Sequence, residues 1–295
     1  MSQSIKSILM LLAMGIGILF SETVAAFDAM TGGVIAPLLL FAMLFITFCC
    51  VDLRELRMSM LHVWIVLFQL VTSVILYYLL LPLDPLLAQG VMICFATPVA
   101  MAAVVIGKLL GAKAETIATF SIVSNLVMAI FIPLFFIHIG SEGCSFGLIF
   151  SRVAPVMILP PFLAQALRYI APSITSWFGQ RGYISFYLWL ISLMLTIGRT
   201  VHYIIGNIND IELLLGLSLA LGALLSCLIQ YRIGRIFGAR YGEPTAGQQS
   251  LGQKNTILAI WMTQTFLSPI ASIAPASYVL WQNIINSYKI FRYKK

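Results

Sequence analysis

Charge is what this 295-residue chain has least of. Only 9% of its residues are charged, and just 10 are Asp or Glu. A soluble domain carries roughly a quarter charged residues, so a surface solvated mainly by water is excluded. Cysteine is also sparse. Cys49, Cys50, Cys94, Cys144 and Cys227 show no metal-ligand spacing, and four of them lie inside or beside apolar runs. They imply packing rather than a disulfide framework. The three histidines, His62, His138 and His202, stand at helix ends and form no relay with an acid. With no nucleophile–base set and no metal cluster in view, the expectation is a protein that is not an enzyme and needs no bound cofactor.

What the chain does have is apolar length. Hydrophobic residues make up 61% of it, in continuous runs that approach or exceed the ~20 residues of a spanning helix. Continuous rather than alternating runs predict helices, not a barrel. Ten spans are expected, at about 5–26, 33–52, 60–81, 86–108, 115–138, 148–171, 182–205, 211–231, 235–265 and 268–290. The fold class is therefore all-α, a polytopic membrane protein.

The 17 Lys and Arg residues are distributed unevenly over these loops. Arg152 and Arg199 fall on one side and Lys254 falls within a span. All the others, from Lys6, Arg54 and Arg57 to Arg292, Lys294 and Lys295, fall on the opposite side. Such asymmetry predicts an inner or plasma membrane protein with both termini in the cytoplasm. The formal charge of +7 is then a topology signal and not a nucleic-acid surface. Lys6, the run Ile8–Phe20 and the small residues Val24–Ala26 would also fit a secretory signal peptide, leaving nine spans. Ten is preferred because an even count agrees with the symmetry that follows.

The midpoint falls in the loop Gly140–Gly147, with five spans on each side. Residues 1–140 and 147–295 would then form two five-helix repeats, the second inverted in the membrane. Inverted-repeat transporters place their sites at mid-bilayer, between interrupted helices. The fourth and ninth spans are the candidates for interruption. Span four contains "ATPVAMAAV" (Ala96–Val104), in which Pro98 removes a backbone donor near Thr97. Span nine contains "GEPTAGQQSLGQKN" (Gly242–Asn255), too rich in Gly, Pro and amides to be one lipid-facing helix. Second half-helices starting near Pro98 and Leu251 would aim free N–H groups and positive dipole ends at one cavity, a setting that favours a carboxylate. Thr97, Gln249, Ser250 and Gln253 would line the breaks.

Four segments in this order resemble the bile acid:sodium symporter family of secondary transporters. They are the Pro98 break, "SIVSNLVMAIFIP" (Ser121–Pro133), "LPPFLAQALRYIAP" (Leu159–Pro172) and "SLGQKN" (Ser250–Asn255). The resemblance covers most of the chain. It implies a core of spans three, four, five, eight, nine and ten beside a rocking panel of spans one, two, six and seven. The cargo implied is an organic anion, bile-acid-like or a small carboxylate, moved by alternating access. The family's two sodium sites can be followed residue by residue. The Ser-Asn pair of span four falls on Ala103 and Val104, and the span-five ligands fall on about Ile117 and Ser121. The span-nine glutamate becomes Ser250, the Gln-Asn pair becomes Lys254 and Asn255, and the span-three glutamine is kept as Gln69. Ala103, Val104 and Ile117 offer no side-chain oxygen, so the first sodium site should be absent. At the second, Lys254 brings its own cation, with Gln69 and carbonyls freed at the break as acceptors. Sodium would be replaced by a tethered amine.

The simpler account of Lys254 is snorkelling toward water. Against it, the residue lies about ten positions, or ~15 Å, inside the outer end of its span, and ionisable groups at such depth usually mark a substrate or ion path. A lysine that takes up and releases a proton would couple transport to protons; a permanently charged one would give a uniporter or exchanger. Asn255 is the leading direct substrate contact. Ser121 and Asn125 stand one turn apart on span five. Glu115 and Glu243 read as solvated helix-end charges. Arg199, Thr200 and His202 either greet anions or serve the panel interface. The alternatives kept open are a sodium symporter with a remnant ion site and a non-transporting membrane sensor with this fold.

Overall fold

The computed structural model describes residues 3–51, 56–100, 102–140, 145–206 and 213–293. Arg54, Cys144, Lys294 and Lys295 lie outside the described residues. The described chain is helical, with a single isolated bridge between two extended segments. Five helices are long and apolar enough to cross a membrane: α4 (Met60–Leu80), α7 (Ala114–Ile139), α8 (Phe146–Ile170), α10 (Tyr183–Gly206) and α11 (Leu213–Arg240). A sixth is α1 (Gln3–Leu19) with α2 (Ser21–Met30), if the pair bent by 79° counts as one. The chain is an all-α membrane protein.

The remaining elements are shorter. They are α3 (Ile35–Cys49), α5 (Pro85–Ala96), α6 (Ala102–Leu109), α9 (Pro172–Gly179), α12 (Pro244–Gly252), α13 (Thr256–Phe266), a 3-10 turn (Pro269–Ser272) and α14 (Ile273–Tyr293). Local chemistry fixes several starts. The Asp84 carboxylate accepts from Leu87 N at 2.8 Å and Pro85 occupies the first turn of α5. Ser59 and the buried His62 form a reciprocal cap on α4, and the other ring nitrogen of His62 lies 3.0 Å from the Thr116 carbonyl. The C-terminal end of α3 is held by α8: Arg168 donates to the carbonyls of Cys49 at 3.0 Å and Val51 at 2.8 Å.

Two boundaries differ from the sequence expectation. The expected turn near 232–234 does not form; α11 runs on to Arg240 and α12 starts only at Pro244. The stop is Gly242, whose φ of +73° suits the left-handed turn before Pro244. Pro172, at the start of α9, adds a short helix between spans six and seven that hydropathy does not separate. Proline itself is a poor guide to interruption here. Pro133 lies inside α7, and Pro155, Pro160 and Pro161 lie inside α8, without ending either helix.

Small residues bring α11 and α12 together. A methyl group added at Gly234 would collide with the Gly247 carbonyl, and one added at Gly247 with the Gly234 carbonyl. Another at Gly252 would strike the Tyr231 ring at 2.5 Å. Close backbone approach through glycine is the usual way helices associate where lipid supplies no hydrophobic drive. It fixes α12, and hence the segment that follows it, against the bundle.

Candidate functional site

Both expected interruptions are present, and they meet. After α5 the backbone turns extended at Thr97, with ψ of 135°, and the helical course resumes at Ala102. After α12 it is extended at Gln253 and resumes at Thr256. The two extended segments lie antiparallel. Ala100 N donates to Gln253 O and Asn255 N donates to Pro98 O, each at 2.9 Å, with Val99 and Lys254 paired as a bridge. Each break supplies the hydrogen bonds the other lost, which is how non-helical backbone is tolerated away from water. The resumed helices thus begin at Ala102 and Thr256, four to five residues beyond the Pro98 and Leu251 starts expected from sequence. The pairing itself consumes the intervening residues.

Lys254 sits in this crossing with 1% of its surface exposed. Its Nζ donates to the Phe95 carbonyl at 3.1 Å, in the last turn of α5, and its backbone N donates to Gln282 Oε1 at 3.0 Å. Phe95 carries a carbonyl at the negative end of a helix dipole, a favourable partner for an ammonium group. Gln69 does not serve the amine as expected. Its Nε2 donates to the Thr97 carbonyl at 2.7 Å, and its Oε1 accepts from Ser124 at 3.4 Å, so it braces the break instead.

The other candidate residues are buried here except Val104, which is partly exposed, and they divide into groups. Thr97 closes α5 through a bond from its hydroxyl to Ile93 O at 2.6 Å. Asn255 caps α13, its Oδ1 accepting from Leu258 N at 3.4 Å. Gln253 Oε1 lies 3.0 Å from the Tyr231 hydroxyl, and also accepts from Asn286. Gln249 Nε2 donates to Asn286 Oδ1 at 3.1 Å. Asn125 Nδ2 donates to the Ser121 carbonyl at 2.7 Å, so this pair stays within α7. Ala103 is buried among Leu61, Ile65, Ile117 and Leu251, an apolar setting with nothing to offer an ion. Val104 faces the cavity described below. Four buried oxygens near these groups lack a donor: Asn125 Oδ1, Gln249 Oε1, Gln230 Oε1 and the hydroxyl of Ser250.

A cavity of about 560 Å³ opens beside the crossing. Its floor is Gln253, Lys254, Asn255 and Thr256 with Gln282 and Asn283 of α14. Its walls come from α1, α3 and α10 on one side and from α6 on the other, with Phe186, Tyr187 and Trp189 prominent. It runs toward Cys50, Val51, Gly182 and Tyr183, at the end of the bundle that carries α9. Toward the other end of α10, Gln264 Nε2 donates to the Thr200 hydroxyl at 2.8 Å, and the Ser272 hydroxyl lies 3.5 Å from it, joining α10 to α13 and the 3-10 turn. No family model matches this chain, and no curated protein matches it either.

Glu243 is not a solvated helix-end charge; it pairs with Lys113 at 3.0 Å and its side chain is only 18% exposed, because the turn at Gly242 folds it against the α6–α7 loop. Of the two roles left open for Arg199 and Thr200, the contacts fit the helix interface: Arg199 is bound to Asp28 of α2 at 3.2 Å, and Thr200 is held by Gln264. Finally, α14 contributes more than sequence reasoning found. Tyr278 donates to Gly252 O at 2.8 Å, Gln282 holds Lys254, and Asn286 joins Gln249 to Gln253. The signal was a polar residue every fourth position, Tyr278, Gln282, Asn286, along one face of the helix.

Proposed function

We propose that this protein is a secondary transporter of an organic anion that works by alternating access, with Lys254 standing where related carriers of the bile acid:sodium symporter type hold sodium. The observation that carries this reading is the crossing: two interrupted helices, mutually hydrogen-bonded, with a buried amine between them and a cavity alongside. The element order supports two inverted repeats. A long helix, an interrupted pair and another long helix occur as α4, α5/α6, α7 and again as α11, α12/α13, α14. On this reading there are ten spans, α1/α2, α3, α8 and α10 form the panel, and the remainder form the core. Both termini face the cytoplasm, and the cavity, open at the α9 end and sealed by Thr200, Gln264 and Ser272, belongs to an inward-open state.

The test is uptake by purified protein in liposomes under separately imposed sodium and proton gradients. Anion uptake that ignores sodium is expected, because Lys254 and Phe95 O occupy each other and Ala103 supplies no ligand. Sodium-driven accumulation would overturn the tethered-amine reading in favour of a symporter with a remnant ion site. Binding without flux would favour the sensor.

A further inference from the structure

We propose that the cavity selects for anions carrying a single negative charge on an apolar body, with Lys254 as its one cationic lining residue among those described and Asn283 as the neutral lining amide that sets the limit. This rests on the transporter reading above and deepens it. Among the described residues that line the cavity, Lys254 is the only cationic side chain and no Asp or Glu is present. Its amine is bonded to a neutral carbonyl, and among the described residues no ion pair compensates a charge on it. The ion pairs Lys113–Glu243 and Arg199–Asp28 lie on other elements. Arg181, next to the cavity-lining Gly182, is already held over the Trp177 ring at 4.3 Å and donates to the Trp177 carbonyl at 3.2 Å.

One uncompensated positive charge in a medium of low dielectric matches one negative charge. A second anionic group would enter the same space with only neutral amides and hydroxyls to meet it, at a high desolvation cost. The amides are Gln253, Asn255, Gln282 and Asn283, and Gln253 Oε1 already accepts from Tyr231 and Asn286. Asn255 is spent on capping α13, and Gln282 Oε1 on the Lys254 backbone. Asn283 donates to Val279 O at 2.7 Å and is partly exposed, so it is the amide with surface left to face a ligand. The apolar walls, Met43, Leu44, Val105, Phe186 and Trp189 among them, suit an aromatic or aliphatic body.

A rigid matched pair tests this: naphthalene-2-sulfonate and naphthalene-2,6-disulfonate, which share a body, stay ionised, and differ by one charge. Uptake and binding are measured with the full-length protein in liposomes and in detergent. The monosulfonate is expected to bind at least tenfold more tightly than the disulfonate. In Asn283→Lys, which adds a second cation to the cavity, the disulfonate should gain at least tenfold relative to the monosulfonate. Equal handling of both anions by the unmodified protein would overturn the proposal and leave the transporter reading intact. If neither anion is bound or carried, the anion reading falls and the proposal with it. Should Asn283→Lys fail to fold, the comparison in the unmodified protein still decides.

Discussion

The amine of Lys254 donates to the carbonyl of Phe95 across 3.1 Å, so a residue from one interrupted helix holds the end of the other. That contact couples a charge to the geometry of the break. A hydrogen bond made by a charged group contributes about 1.5–3 kcal/mol, and here it also determines where the charge lies relative to the cavity.

Separating the bond from the charge gives the first prediction. Lys254→Gln keeps a donor near Phe95 O and removes the cation; Lys254→Met removes both. Anion uptake should fall at least tenfold in each. Thermal melting in detergent should be depressed more in Lys254→Met, by an amount corresponding to about 1–3 kcal/mol for an unsatisfied buried carbonyl. Wild-type uptake by Lys254→Gln would show that the charge is dispensable.

The glycine contact between α11 and α12 yields a stability prediction. Gly247→Ala forces a methyl group into the Gly234 backbone, and overpacking of this kind costs about 1–3 kcal/mol. Gly216→Ala, also on α11, meets nothing within 4 Å and should be neutral or stabilising by up to ~1 kcal/mol. Melting curves of the two variants side by side check the sign difference.

The contact between Thr200 and Ser272 can be trapped. The hydroxyl oxygens of Thr200 and Ser272 are 3.5 Å apart, within reach of a disulfide once both positions are cysteine. In a background with the exposed Cys50 replaced by serine, oxidation of Thr200→Cys/Ser272→Cys should abolish uptake and reduction should restore it. Full transport by the cross-linked protein would mean that α10 and the 3-10 turn do not separate during the cycle.

The pair Arg199–Asp28 distinguishes a structural contact from an entrance. Both side chains are largely shielded, at 23% and 18% exposure. Arg199→Met and Asp28→Asn should each lower the melting temperature, while the double variant loses less than the sum, as expected when breaking a pair strands a charge. A rise in KM for Arg199→Met without any change in melting would assign the arginine to anion capture instead.

Composition determined the class of this protein, because 61% hydrophobic residues in continuous runs can satisfy their backbone only as helices once water is gone. The two interruptions were legible as well. "ATPVA" places a proline, and "EPTAGQQSLGQKN" concentrates proline, glycine and amides, within otherwise apolar runs, and the depth of Lys254 flagged it as unusual. Which prolines interrupt was not legible, since Pro98 ends a helix while Pro133 and Pro160 do not. The difference is made by a partner 150 residues away: Gln253 and Asn255 return the hydrogen bonds that an extended segment loses, and nothing local to Pro98 encodes that. The acceptor of the Lys254 amine belonged to tertiary structure for the same reason. A side-chain donor is written in the sequence, but every residue offers a backbone carbonyl, and only the three-dimensional crossing chose the one at Phe95.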